Sequence, residues 1–223
     1  MTNLIAACVA FLATHYVSST PLRAWLVARI GRIYLGLYSL LALATLIWMV
    51  WAYYRVQFAN LWYSPALYYV PLLVMPFAMV FFVCGLLTRN PTLVGQEKAL
   101  KTEEPARGIL RITRHPLMWG VALWAASHLF PHGDAASVIF FGTFLMLALS
   151  GTVLIDRRKA AALGDDWKRF AAKTSNLPFA AIAAGRNQLK LGEIGWRRIL
   201  LGLALYLAVL FLHLSLFDAR PFF

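Results

Sequence analysis

Six mostly apolar stretches divide this chain, at about 3–19, 33–54, 65–87, 116–130, 135–155 and 196–217. An α-helix needs roughly 20 such residues to cross the hydrocarbon of a bilayer. Backbone groups there have no water to bond, so a run of this kind folds as helix. The first run is short. The fourth is the weakest, because about 15 residues of helix cover only about 22 Å. Pro71 and Pro76 in the third run predict a kink or a late start. The expected fold is all-α, a polytopic membrane bundle of six transmembrane helices. Composition agrees: 61% of residues are apolar and 13% charged, against about half and a quarter in a soluble domain. That argues against a water-soluble enzyme and against a disordered chain.

The charges fit this division. All but Arg55 and Arg220 of the 21 basic residues fall after the first, third and fifth runs. By the positive-inside rule those loops face the cytoplasm, and both termini lie on the outer side. The net charge of +12 then answers anionic lipid rather than nucleic acid. No Lys or Arg precedes Arg23, so the first run is expected to stay as a span and not to act as a cleaved signal. Cys8 and Cys84 lie inside apolar runs and suggest no disulfide framework. Trp51, Tyr53, Tyr54, Trp62, Tyr63, Tyr68 and Tyr69 cluster around the loop after the second run and read as an outer aromatic belt.

Residues 1–223 read as one domain. Within it, 156–195 is too polar to span, and 196–217 is the last transmembrane helix. Ala160, Leu163, Trp167, Phe170 and Ala171 recur at helical spacing among charges, which predicts a helix along the inner membrane surface. Asn176, Pro178 and Gly185 predict a cap, a helix start and a stop.

Ionisable side chains inside lipid are costly and usually face the bundle interior. The histidines therefore carry the functional question. His15 lies in the first run and His128 in the fourth. His115 precedes Pro116, His132 falls in the turn Pro131-His132-Gly133-Asp134, and His213 is near the end of the sixth run. Two imidazoles from facing helices are a normal way to hold a metal or a haem iron. The plainer reading is that each imidazole bonds a backbone carbonyl or a neighbouring hydroxyl. Arg111, Arg114 and His115 gather donors before a proline-initiated helix, a pattern that suits a phosphate or carboxylate. Asp156 is a possible partner for that cluster.

The stretches H-Y-V-S-S-T-P-L-R at 15–23, G-I-L-R-I-T-R-H-P-L-M-W-G at 108–120, W-A-A-S-H-L-F-P-H-G-D at 124–134, D-R-R at 156–158 and T-S-N-L-P-F-A-A-I-A-A-G-R at 174–186 resemble the NnrU family of multi-pass membrane proteins. The likeness runs over about 1–186. It implies a bacterial cytoplasmic membrane and a link to nitrite and nitric-oxide reduction. Through the related plant and cyanobacterial carotene isomerases it also implies haem b and isomerisation of a lipophilic polyene. The axial histidines of those relatives fall on His15 and His128, with Arg111, Arg114 and His115 placed to meet propionates. Two departures stand out. A cysteine of the isomerases is Ala125 here, and a further histidine is Leu147.

Arg114-His115-Pro116 followed by Gly120 is also similar to membrane methyltransferases that use S-adenosylmethionine. Their acidic pair is replaced by Asp156-Arg157-Arg158. A third reading is a non-enzymatic accessory factor that meets nitrogen-oxide reductase components. The expected partners are membrane lipid and a lipophilic or gaseous small molecule. Simple topology pairs His15 with His115, at similar depth. The family pattern pairs His15 with His128.

Overall fold

A computed structural model describes residues 1–31, 33–57, 59–219 and 221. Arg32 and Arg220, two of the charges counted above, lie outside the described residues. The helices are α1 (Thr2–Val17), α2 (Pro21–Ile30), α3 (Ile33–Tyr54), α4 (Tyr69–Leu87), α5 (Pro116–His128), α6 (Ala135–Lys173), the short α7 (Ala180–Ala183) and α8 (Trp196–Phe217). There is no strand among the described residues; an isolated antiparallel bridge joins Asn60 to Asp134.

Among the described residues four helical segments are long and apolar enough to cross a membrane: Ile33–Tyr54, Pro65–Leu87, Ala135–Lys173 and Trp196–Phe217. A fifth arises if α1 and α2 form one broken span; they bend by 72° around Ser18–Thr20. This is fewer than the six expected: the first run reaches the length only by joining α2, and the fourth falls short on its own. It forms only the 13 residues of α5, about 20 Å of helix.

Close backbone approach holds that short helix in the bundle. A Cβ on Gly120 would lie 2.9 Å from the Ala78 carbonyl of α4, and one on Gly85 would lie 2.4 Å from the Leu117 amide of α5. Small residues at helix interfaces let backbones meet where lipid supplies no hydrophobic drive. α8 uses the same device: a Cβ on Gly202 would lie 2.8 Å from the Val80 Cα. Thus α4 packs on both α5 and α8, while α1 packs on α3 and α6. One apolar core joins Leu4, Ala7, Cys8 and Phe11 of α1 to Met49, Ala52, Ala136, Phe140 and Phe141.

Two expectations change at the polar end. The fifth run does not stop at Ile155; α6 continues to Lys173, with Gly164 at φ 53° marking a kink. Trp167 and Phe170 are 3% and 1% exposed. They pack against Ile109, Leu110 and Ile112 instead of lying on a surface. The 106–112 segment is apolar enough to bury that helix face, so protein replaces lipid as its partner. Pro178 does not begin a helix; α7 starts at Ala180, after Phe179 in the left-handed region at φ 64°. Gly185, at φ +69°, lies just past the end of α7.

Candidate functional site

Three of the five histidines meet at one cavity. His128 ends α5, His132 sits in the turn that follows, and His213 lies in the last turns of α8. All three line a hollow of about 670 Å³ and an adjoining one of about 300 Å³. The walls are mostly aromatic: Tyr53, Trp124, Phe140, Phe141 and Phe144 border the larger hollow. His128 lies against Phe141 at 5.2 Å between ring centres, and the His128 and His132 rings are nearly parallel at 6.1 Å.

The turn carrying His132 is fixed from outside. Leu61 and Trp62 donate their amides to the Gly133 carbonyl over 2.6 and 3.0 Å. The Trp62 indole donates to the Phe130 carbonyl over 2.9 Å. A Cβ at Gly133 would lie 2.0 Å from the Trp62 carbonyl oxygen, so only glycine fits under this strap. Asp134 caps α6 by accepting from the Ser137 amide at 2.9 Å.

Hydrogen bonds set the tautomers. A carbonyl can only accept, so Nδ1 of His128 donates to Trp124 O (2.8 Å), Nδ1 of His15 donates to Phe11 O (2.8 Å), and Nδ1 of His213 donates to Ala219 O (2.9 Å). In each neutral ring Nε2 then keeps its lone pair. An imidazole anchored through Nδ1 is oriented as metal-bound histidines are. Burial lowers the pKa of the His132 ring from the usual value.

His15 is not among the residues that line the His128 hollows. Tyr16, the neighbour of His15, bonds Ser150 on α6 at 2.8 Å. His128 packs on Phe141 of the same helix. Ring contacts run from His15 through Phe11 (4.2 Å between centres), Phe144 (5.4 Å) and Trp124 (5.0 Å) to His128 (5.8 Å). His15 and His128 share the tautomer that leaves Nε2 open, each anchored through Nδ1 to the carbonyl four residues before it. Among the described residues no group of three His, Cys, Asp or Glu side chains is placed to hold a metal ion.

Arg111, Arg114 and His115 form a second centre, and it is closed on itself. Arg114 Nε donates to Asp156 Oδ1 at 2.9 Å, and Nη2 to Oδ2 at 2.5 Å. His115 Nε2 donates to Asp156 Oδ1 at 2.7 Å. Asn176 Nδ2 approaches Asp156 Oδ2 at 3.3 Å. Arg111 is 5% exposed. It donates to Glu193 through Nε (2.7 Å) and Nη2 (3.0 Å), to Asn187 (2.6 Å), and to Glu104. These cations are bonded to side chains of the chain itself: Arg114 and His115 to Asp156, and Arg111 to Glu193, Asn187 and Glu104. The same closure counts against a methyl-donor pocket at Arg114-His115-Pro116, since His115 is 1% exposed.

Sequence reasoning anticipated the pairing of Asp156 but missed Glu193 and Asn187, which lie more than 75 residues from Arg111. Their one signal is that Glu193 is a lone acid in a basic stretch. It also underrated His213, whose place near a helix end looked peripheral.

Comparison with known proteins adds the lineage. The family model described as NnrU protein matches residues 3–221. The chain belongs to the NnrU family. Two curated relatives are similar to it: the 15-cis-zeta-carotene isomerase of Arabidopsis thaliana, 38% identical over 82 residues, and that of Zea mays, 37% identical over 82 residues. Each match covers 37% of this NnrU chain and 22% of the relative, both of which are described as chloroplastic. No solved structure matches it.

Proposed function

We propose that this NnrU protein binds a lipophilic conjugated molecule in the His128 cavity and isomerises one of its double bonds. The convergence of His128, His132 and His213 on one aromatic-walled hollow carries the reading. The relatives' activity on a carotene supplies the substrate class. Ring faces offer stacking surface to a polyene, and a greasy hollow of several hundred Å³ suits such a ligand. The chain's own part is to bind and orient: Trp124, Phe140, Phe141 and Phe144 fix the polyene, and the strap at Leu61–Trp62 limits water. The imidazoles are polar groups at a dry wall. His128 keeps its Nε2 lone pair because Nδ1 is committed to Trp124, so it can accept a proton or bind an electrophile but cannot donate from that atom. In the membrane, α1 and α5 serve as shorter crossing elements that complete six passes, with both termini on the outer side of a bacterial cytoplasmic membrane.

Haem b in the same cavity is a second reading, favoured by the Nδ1 anchor on His128. His128 would hold it, and the group would supply redox and Lewis-acid chemistry that imidazole lacks. One experiment separates the readings. The protein is purified in mild detergent after haem supply, its absorption spectrum is recorded, and it is incubated with 15-cis-zeta-carotene while isomers are resolved by chromatography. The first reading expects isomer conversion that His128→Ala abolishes. A Soret band lost in His128→Ala and kept in His15→Ala establishes the haem reading. No conversion and no band removes both.

A further inference from the structure

The elbow between α1 and α2 gathers positive charge with no ion-paired acid among the described residues. Arg23 sits in the first turn of α2 and Arg158 on α6, both half-buried. Arg158 donates from Nη1 to the Ser18 carbonyl at 2.9 Å, its one hydrogen bond among the described residues. The Arg23 amide donates to the Thr20 carbonyl at 3.2 Å, two residues beyond Ser18, so both cations belong to the elbow, and the Arg23 charge bears on Arg158. Among the described residues neither has a carboxylate within ion-pair distance. Glu97, the acid that acts on Arg158 from further away, is bonded to Lys159. Like charges side by side and partly out of water are unfavourable, so this arrangement is built for something that neutralises it.

Tyr34 is the independent sign of a ligand. It is 5% exposed, and its hydroxyl has no hydrogen-bond partner among the described residues. Its ring stacks on Tyr38 at 6.0 Å between centres, and its charge state bears on Arg158. A buried hydroxyl normally finds a partner. Two guanidinium groups without a carboxylate partner among the described residues, and one unpartnered O–H donor, are what a phosphate oxyanion takes.

Beside this cluster runs an apolar groove of about 510 Å³, bordered by Ser19 and Thr20 of the elbow and by Ser150, Val153 and Leu154 of α6. Ser150, Leu154 and Arg158 follow one another at intervals of four, so the groove and Arg158 share one face of α6. An anion site at the head of a greasy groove, in a chain with spans for a bilayer, matches a phospholipid better than a free ion.

We propose that the α1–α2 elbow binds the phosphate of one membrane phospholipid, held by Arg23, Arg158 and the Tyr34 hydroxyl, with an acyl chain lying along Ser150 and Leu154.

The test uses the full chain in mild detergent, titrated with dioleoylphosphatidic acid and read by native mass spectrometry, with inorganic phosphate as a parallel probe. The parent is expected to retain one lipid. Arg158→Gln is expected to weaken retention about tenfold, and Tyr34→Phe and Leu154→Trp severalfold, as loss of charge-assisted bonds or of chain contact would. Arg29→Gln serves as the control, since that guanidinium lies over the Trp25 ring at 5.2 Å; it should stay within about twofold, as expected for an exposed charge. Should Arg158→Gln fail to fold, Arg158→Lys keeps the charge without the fork and should fall between parent and Gln. Equal losses in the Arg29 control, or no loss in Tyr34→Phe and Arg158→Gln, would overturn the site. Inorganic phosphate displacing the lipid while Leu154→Trp has no effect would overturn the lipid and leave a free-anion site.

Discussion

His115 and Asp156 lie 41 residues apart in the chain, and the imidazole Nε2–H of one donates to Oδ1 of the other over 2.7 Å. The bond ties the start of α5 to the middle of α6. It also fixes the histidine as the tautomer whose Nδ1 is a buried acceptor with no partner among the described residues.

Removing the acid should be costly. Asp156→Ala leaves the Arg114 guanidinium and His115 without their shared partner, and breaking a buried pair from one side costs about 3–5 kcal/mol. Asp156 is partly exposed, with 17% of its side chain accessible, so about 3 kcal/mol is the expected loss, read by thermal or denaturant unfolding in detergent. A change under about 0.5 kcal/mol would class the pair with ordinary surface ion pairs.

The same histidine should make stability depend on pH. Burial holds its pKa below the usual 6.5, against the opposing pull of Asp156. The unfolded chain then takes up a proton below pH 6.5 that the folded chain refuses. This contribution is therefore complete above pH 6.5 and declines as pH falls below it. His132 acts in the same sense, so the informative quantity is the difference in slope between parent and His115→Gln. Parallel slopes would mean that His115 does not titrate as described.

Glu193 forms an acid-sensitive latch. Its bonds from Arg111 and from the Gly108 amide hold its carboxyl well down, at about 2. A carboxylate lowered in this way stabilises the fold above its unfolded value of about 4.5. That stabilisation is lost as pH falls from there through about 2. Limited proteolysis by pepsin should therefore open the 187–195 segment as acid is added. Glu193→Gln should open it already near pH 5. Protection unchanged by the substitution would show that the latch is not closed by this residue.

Gly133→Val should lift the strap. With a Cβ 2.0 Å from the Trp62 carbonyl, the Leu61–Trp62 segment has to move off the turn that bears His132. Faster exchange of a bound polyene, and quicker hydrogen exchange at the Leu61 and Trp62 amides, are the expected readouts. Unchanged exchange at both amides would count against the strap.

The long apolar runs were legible because lipid forces helix on any such stretch. Ile33–Tyr54 and Trp196–Phe217 match their expected limits. α5 was the hard case. Its 13 residues stay in the bundle through Gly85 and Gly120, and backbone contact of that kind leaves no mark in hydropathy. The extension of α6 was hidden because its last turns look amphipathic, and an amphipathic helix reads alike whether its apolar face meets lipid or Ile109 and Leu110. Among the site residues, the link from Asp156 to Arg114 and His115 could be foreseen from charge. The grouping of His128 with His132 and His213 depends on α8 lying beside α4, which no local pattern reveals.

The most direct test of the central claim is equilibrium binding of 15-cis-zeta-carotene to the full-length protein in detergent, followed by the shift of the polyene absorption bands. Trp124→Ala with Phe141→Ala should weaken binding about tenfold or more, as loss of two aromatic walls would. His15→Ala should leave it unchanged. Binding that survives loss of the cavity walls, or that disappears when only His15 is replaced, would contradict the account.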